Sequence, residues 1–121
     1  MKRVIIESPY AGNIERNVAY ARAAMADCLA RGEAPYASHL LYTQPGVLRD
    51  EDPLEREIGI TAGFAWRDVA DLTVFYVDLG WSAGMLRASM HAQKSGFAYE
   101  TRNLMPPGSS LNSVIRFLDR F

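Results

Sequence analysis

One cysteine, Cys28, leaves no partner for an internal disulfide, and no C-x-x-C or Cys/His grouping offers zinc spacing, so disulfide and structural-metal scaffolds are excluded. No run approaches the ~18 apolar residues of a membrane span, and the apolar run near the start, Val4-Ile5-Ile6, is too short for a signal peptide. Neither sign of charge dominates: 13 Lys and Arg stand against 14 Asp and Glu, and no basic stretch argues for binding a nucleic-acid polymer. G-x-G-x-x-G after the first strand and G-x-x-x-x-G-K-[ST] are both missing, which disfavours an NAD-type fingerprint and a P-loop. The expectation is a cytoplasmic protein without metal, cofactor or membrane partner. Its 121 residues form one domain, large enough for a real core.

What is present alternates. Val4-Ile5-Ile6 reads as a buried strand ending near Glu7, and Glu7 to Asn13 as a turn with Asn13 capping a first helix. Ile14, Val18, Ala21, Met25, Cys28 and Leu29 recur at helical spacing until Arg31-Gly32, which places Cys28 on a buried stripe. Pro35 to Tyr42 predicts a second strand ending at His39 and beyond, followed by a long connection, Thr43 to Glu51, able to close over a ligand. Asp52-Pro53-Leu54-Glu55 has the form of a capping box opening a second helix, with Leu54, Ile58, Ala62, Ala65 and Val69 facing inward and Gly59 and Gly63 permitting close approach. Leu72 to Val77 is a continuous apolar strand that breaks at Asp78 into Gly80-Trp81-Ser82-Ala83-Gly84 and a third helix ending at Gly96. Phe97 to Thr101 reads as an edge strand, and Ser109 or Ser110 caps a last helix bearing Leu111, Val114, Ile115 and Leu118. The pattern predicts a small flavodoxin-like (Rossmann-like) α/β sandwich with parallel strands ordered 2-1-3-4 and a C-terminal helix.

In that order strands one and three are neighbours, so the turns after Ile6 and Val77 face each other at the switch point, where ligands bind in open α/β sheets. Gly80, Ser82 and Gly84 surround a helix N-terminus suited to a phosphate, although Ser82 as a plain cap explains the same residues. Glu7 and Asp78, at adjacent strand ends, could take both hydroxyls of a ribose or act as base and nucleophile; a capped turn or an ion pair is the alternative. Ser8, Pro9, Tyr10 and Gly12 would shape one wall, Asn17 could reach the pocket or serve only locally, and His39 is a candidate base or a half-buried structural histidine. Tyr10 and Trp81 could sandwich a base or simply pack, Met25, Met85 and Met90 are core fill, and Glu57 is a solvated helix residue.

Three patterns, Ile6 to Gly12 (IESPYAG), Gly32 to Gln44 and Asp78 to Met85 (DLGWSAGM), resemble small uncharacterised, largely phage and actinobacterial proteins of the nucleoside 2-deoxyribosyltransferase-like superfamily. The resemblance implies a nucleoside or nucleotide pocket between the two turns and homo-oligomers that complete one another's pockets. It also implies a nucleophilic glutamate at the start of the third helix, and there this chain departs: one register puts Ala88 in its place and the other Ser82. The expectation is a nucleotide- or nucleoside-binding protein, in a phage setting one that sequesters a nucleotide signal. The alternatives are an N-glycosidase or deoxyribosyltransferase with Glu7 as relocated nucleophile, and an oligomeric interaction module.

Overall fold

A computed structural model describes all 121 residues. The elements run β1 (Lys2–Glu7), α1 (Ile14–Ala30), β2 (Glu33–Tyr36), α2 (Ser38–Leu41), α3 (Pro53–Ala65) with a 3-10 turn at Trp66–Asp68, β3 (Leu72–Tyr76), α4 (Ala83–Ser95), β4 (Tyr99–Arg102) and α5 (Leu111–Leu118). The four strands are parallel in the order β2-β1-β3-β4, as the alternating pattern predicts. The register sets Val4 beside Leu72 and Glu7 beside Phe75, so β1 and β3 are central neighbours.

Alternation along the strands builds two apolar layers. Val4 and Ile6 with Val74 and Tyr76 join Tyr20, Ala24 and Cys28 of α1 and Val114 and Leu118 of α5. Phe75 turns the other way, onto Met85 and Ala88 of α4, with Phe64 and Val77 packed alongside. Inside the first layer Arg102 makes a two-pronged ion pair with Glu33 at 2.7 and 2.8 Å, while the Tyr76 hydroxyl donates to Asp27 at 2.7 Å. That fork satisfies two buried charges at once.

Each cap supplies a missing helix partner. The side chains of Asn13, Asp52, Ser82 and Ser110 accept first-turn N–H groups of α1, α3, α4 and α5. At α3 the box does not close: Asp52 caps Leu54 and Glu55, but the Glu55 carboxylate turns to Arg49 instead of back to the cap.

Three expectations are corrected. The second strand stops at Tyr36, and Ser38–Leu41 coils into the one-turn α2, so His39 sits on a helix and not at a strand end. On α3 the apolar stripe is turned outward: Leu54 is 78% and Ile58 59% exposed, and Val69 beyond it is also exposed. The small residues face inward instead, Gly63 so close to α2 that a Cβ there would meet the Ser38 Oγ at 2.7 Å, and Gly59 against Leu48. Met90 is exposed, as are Ile14 and Leu29 of α1, whereas Met85 and Cys28 are buried. No helix is long and apolar enough to cross a membrane.

Candidate functional site

Beyond the ends of β1 and β3 the chain turns away in two loops, and a cavity of about 370 Å³ opens between them. Glu7, Ser8, Tyr10 and Ala11 supply one wall. Their backbone is held from behind by Asn17, buried on α1, whose side-chain amide donates to the carbonyls of Tyr10 at 2.8 Å and Ala11 at 3.1 Å. Ser82, Ala83, Gly84 and Met85 supply the facing wall. The Ser82 hydroxyl accepts the Met85 N–H at 3.1 Å, leaving the Ala83 and Gly84 N–H groups in the first turn of α4, where the helix dipole favours an anion. Ser38 and His39 of α2, Asp50 of the long connection and Arg56, Ile60 and Phe64 of α3 complete the lining.

Two polar pairs occupy the inner end. The Ser8 hydroxyl and His39 Nε2 are 2.7 Å apart. Burial pulls the His39 imidazole down to about 4, so the ring is neutral near pH 7, and its Nδ1 is buried without a partner. Beside them the Glu7 carboxyl, 16% exposed, is pushed up to about 7 by burial, against the opposing charge of Arg67. Arg67 is 1% exposed and reaches Glu7 Oε1 at 3.4 Å, the Ala88 carbonyl at 3.0 Å and His91 Nδ1 at 2.6 Å. Since arginine keeps its proton, His91 Nδ1 is the acceptor; burial and the Arg67 charge hold that imidazole below its ordinary range. Its ring lies flat on Phe64 at 4.2 Å.

At the mouth, Arg56 is only loosely paired, its Nε 3.9 Å from Asp50 Oδ1 with a side chain 44% exposed. A half-exposed guanidinium in so long a pair is free to turn toward an incoming anion.

Of the residues singled out in the sequence, Glu7, Ser8, Tyr10, His39, Ser82, Gly84 and Met85 meet around this cavity. Pro9, Gly12, Asn17, Asp78, Gly80 and Trp81 do not line it. Gly12 and Gly80 turn the chain at φ of 101° and 86°. The Asp78 carboxylate is taken up by the Tyr20 hydroxyl at 2.6 Å and the N–H groups of Leu104 and Met105 at 2.8 and 3.0 Å. Trp81 packs on Phe75, with ring centres 5.0 Å apart, so Tyr10 and Trp81 do not form a sandwich. Ala88 is 1% exposed in the layer beneath α4, and the position carries no group that could attack a sugar. Asp50 and Arg56, which line the cavity, and Arg67, which contacts Glu7, are not singled out by the sequence pattern. Glu57 lies on the exposed surface in an ion pair with Arg87.

Residues 2–102 match the family model described as a domain of unknown function, DUF7768, and the chain belongs to that family. No curated protein and no solved structure matches it.

Proposed function

Proceeding from that membership and from the cavity, we propose that this protein binds a small nucleoside or nucleotide between the β1 and β3 turns. One observation carries the reading: two turns about 70 residues apart close a single cavity whose mouth is suited to an anion and whose inner end is polar. Arg56 and the first-turn N–H groups of α4 would hold a phosphate. Tyr10, Ile60 and Phe64 give apolar surface for a flat ring, and the volume falls in the range of small-molecule pockets. The resemblance to the nucleoside 2-deoxyribosyltransferase-like superfamily points the same way, and the apolar setting of Ala88 favours retention of a ligand over its cleavage. Sequestering a nucleotide signal is the role such a binder would serve. Mass spectrometry of small molecules released from the purified protein, followed by a thermal-shift panel of nucleotides, tests the binding. A ligand retained unchanged and near-stoichiometrically supports it, and catalytic release of free base from a nucleotide rejects it.

A second reading has its own observation. Glu7 lines the cavity and titrates near neutral pH, which suits proton transfer better than the permanently ionised state of a nucleophile. An N-glycosidase using Glu7 would lose activity in Glu7→Gln, and unchanged turnover of a nucleotide by that variant removes the reading. The homo-oligomer belongs with these proposals. The outward-facing Leu54 and Ile58 are the residues to test, by sedimentation of the intact chain against Ile58→Glu.

A further inference from the structure

Of the two strand-end carboxylates that could meet a sugar, Asp78 is saturated by protein donors and lies outside the cavity, while Glu7 lines it. Glu7 is poorly satisfied for so enclosed a carboxylate. Oε1 accepts one long hydrogen bond, from Arg67 at 3.4 Å, and Oε2 accepts none, though it is not sealed off from solvent. The protein donors beside it are already committed. Arg67 is fixed by the Ala88 carbonyl and by His91, and the neighbouring Ser8 hydroxyl is committed to His39. An ionised carboxylate has about four lone-pair sites, and the single long bond from Arg67 fills one, so the cavity presents an acceptor with room for a ligand's donors.

We propose that this acceptor makes the site selective for ribonucleotides over 2′-deoxyribonucleotides, with the Glu7 carboxylate accepting both hydroxyls of the ribose. The proposal rests on the nucleotide reading above. Vicinal hydroxyls are two O–H donors on adjacent carbons, the arrangement that an acidic side chain takes up in dinucleotide-binding folds. With the phosphate toward Arg56 and the N-terminus of α4 at the mouth, the sugar is the next part of the ligand to meet the inner polar end. A 2′-deoxy sugar supplies one donor fewer and leaves one carboxylate oxygen enclosed without a partner, a loss to which sites built for a hydroxyl are sensitive.

The charged and titratable groups around Glu7 are Arg67 from the 3-10 turn with His91 of α4 behind it, Arg56 from α3, His39 from α2 and Asp50 from the long connection. His39 stays neutral between pH 6 and 8, and the Arg67 charge and burial hold His91 below the ordinary imidazole range, so in that interval a change in sugar preference reports chiefly on the carboxylate.

The experiment is calorimetric titration of the intact protein at pH 8 with the four common ribonucleoside 5′-monophosphates and their 2′-deoxy counterparts. At least one ribonucleotide is expected to bind about tenfold or more tightly than its deoxy twin. In Glu7→Gln both should still bind, with the ratio falling toward one. Should that variant fail to fold, the same ratio measured on the unaltered protein at pH 6 is expected to shrink, because Glu7 gains a proton there. Nucleotides binding with equal or reversed sugar preference overturn this inference and leave the binding reading standing, and a preference undiminished in Glu7→Gln, or at pH 6, does the same. If no nucleotide binds, the binding reading falls and takes this one with it.

Discussion

Arg67 and Glu7, 60 residues apart in sequence, meet with Nη2 3.4 Å from Oε1, the guanidinium almost wholly enclosed and the carboxyl nearly so. Removing the cation leaves a carboxylate whose remaining escape is to take up a proton. Arg67→Met is therefore expected to destabilise the fold by about 3 kcal/mol at pH 8 and distinctly less at pH 5, where Glu7 is protonated with or without its partner. Urea unfolding at the two pH values checks this, and an equal loss at both would mean that Arg67 acts through packing alone.

Glu7 and His39 also set opposing pH dependences. The Glu7 carboxyl is raised from 4.5 to about 7, so the folded state holds a proton that the unfolded chain has released, and stability falls as pH rises through that window. The His39 ring is lowered from 6.5 to about 4, so the unfolded chain takes up a proton that the folded state refuses, and stability rises with pH through its window. Each effect is worth about 2–3 kcal/mol and the windows overlap, so the two should largely cancel between pH 4.5 and 6.5. Relative to the unaltered protein, in which the lowered His91 adds its own upward slope, unfolding free energies measured at half-unit steps should slope more downward with pH in His39→Gln and more upward in Glu7→Gln. Parallel profiles for all three proteins would refute the pair of assignments.

Asp78 separates fold from site. Asp78→Asn keeps the shape but replaces one carboxylate oxygen by a donor facing N–H or O–H groups, and should cost about 2 kcal/mol in thermal or urea unfolding. Ligand affinity in calorimetry should not change. A weakened ligand with unaltered stability would return Asp78 to the pocket.

Asn17 links the two. Asn17→Ala strips the carbonyls of Tyr10 and Ala11 of their donor and should cost about 1–3 kcal/mol. Because both residues wall the cavity, the loosened loop should also weaken nucleotide binding, read by the same titration. Binding that survives at full strength would show that the loop holds its shape without that anchor.

The parts of this structure legible beforehand are those where pattern and local chemistry agree. β1 and β3 are apolar runs bounded by turn residues, and Asn13, Asp52 and Ser82 each announce a helix start, so the sheet order and the facing turns could be read from residues alone. Pro35 to Tyr42 misleads because a short apolar run has no periodicity to tell a strand from a helical turn, and Ala37, ahead of α2, has no capping side chain. On α3 the spacing of Leu54, Ile58 and Ala65 does mark one face, but spacing does not say which face meets the sheet. Close packing of Gly63 against Ser38 decides that, and it depends on where α2 sits. Arg67 was hidden for a similar reason: an arginine near a helix end reads as a cation complementing the dipole, and only the surrounding fold encloses it beneath Glu7.

The acceptor role of Asp78 also bears on where the folding unit ends. The family match stops at Arg102, yet the backbone N–H groups of Leu104 and Met105 just beyond it are fastened to that aspartate, and Val114 and Leu118 fill the layer over β1 and β3. Residues 103–121 thus behave as a clasp closed over a face that the rest of the family domain leaves greasy and unsealed. A chain cut after Arg102 is expected to unfold less cooperatively and to bind more of a hydrophobic dye such as ANS than the intact chain, which would make the unit of kinship shorter than the unit of stability.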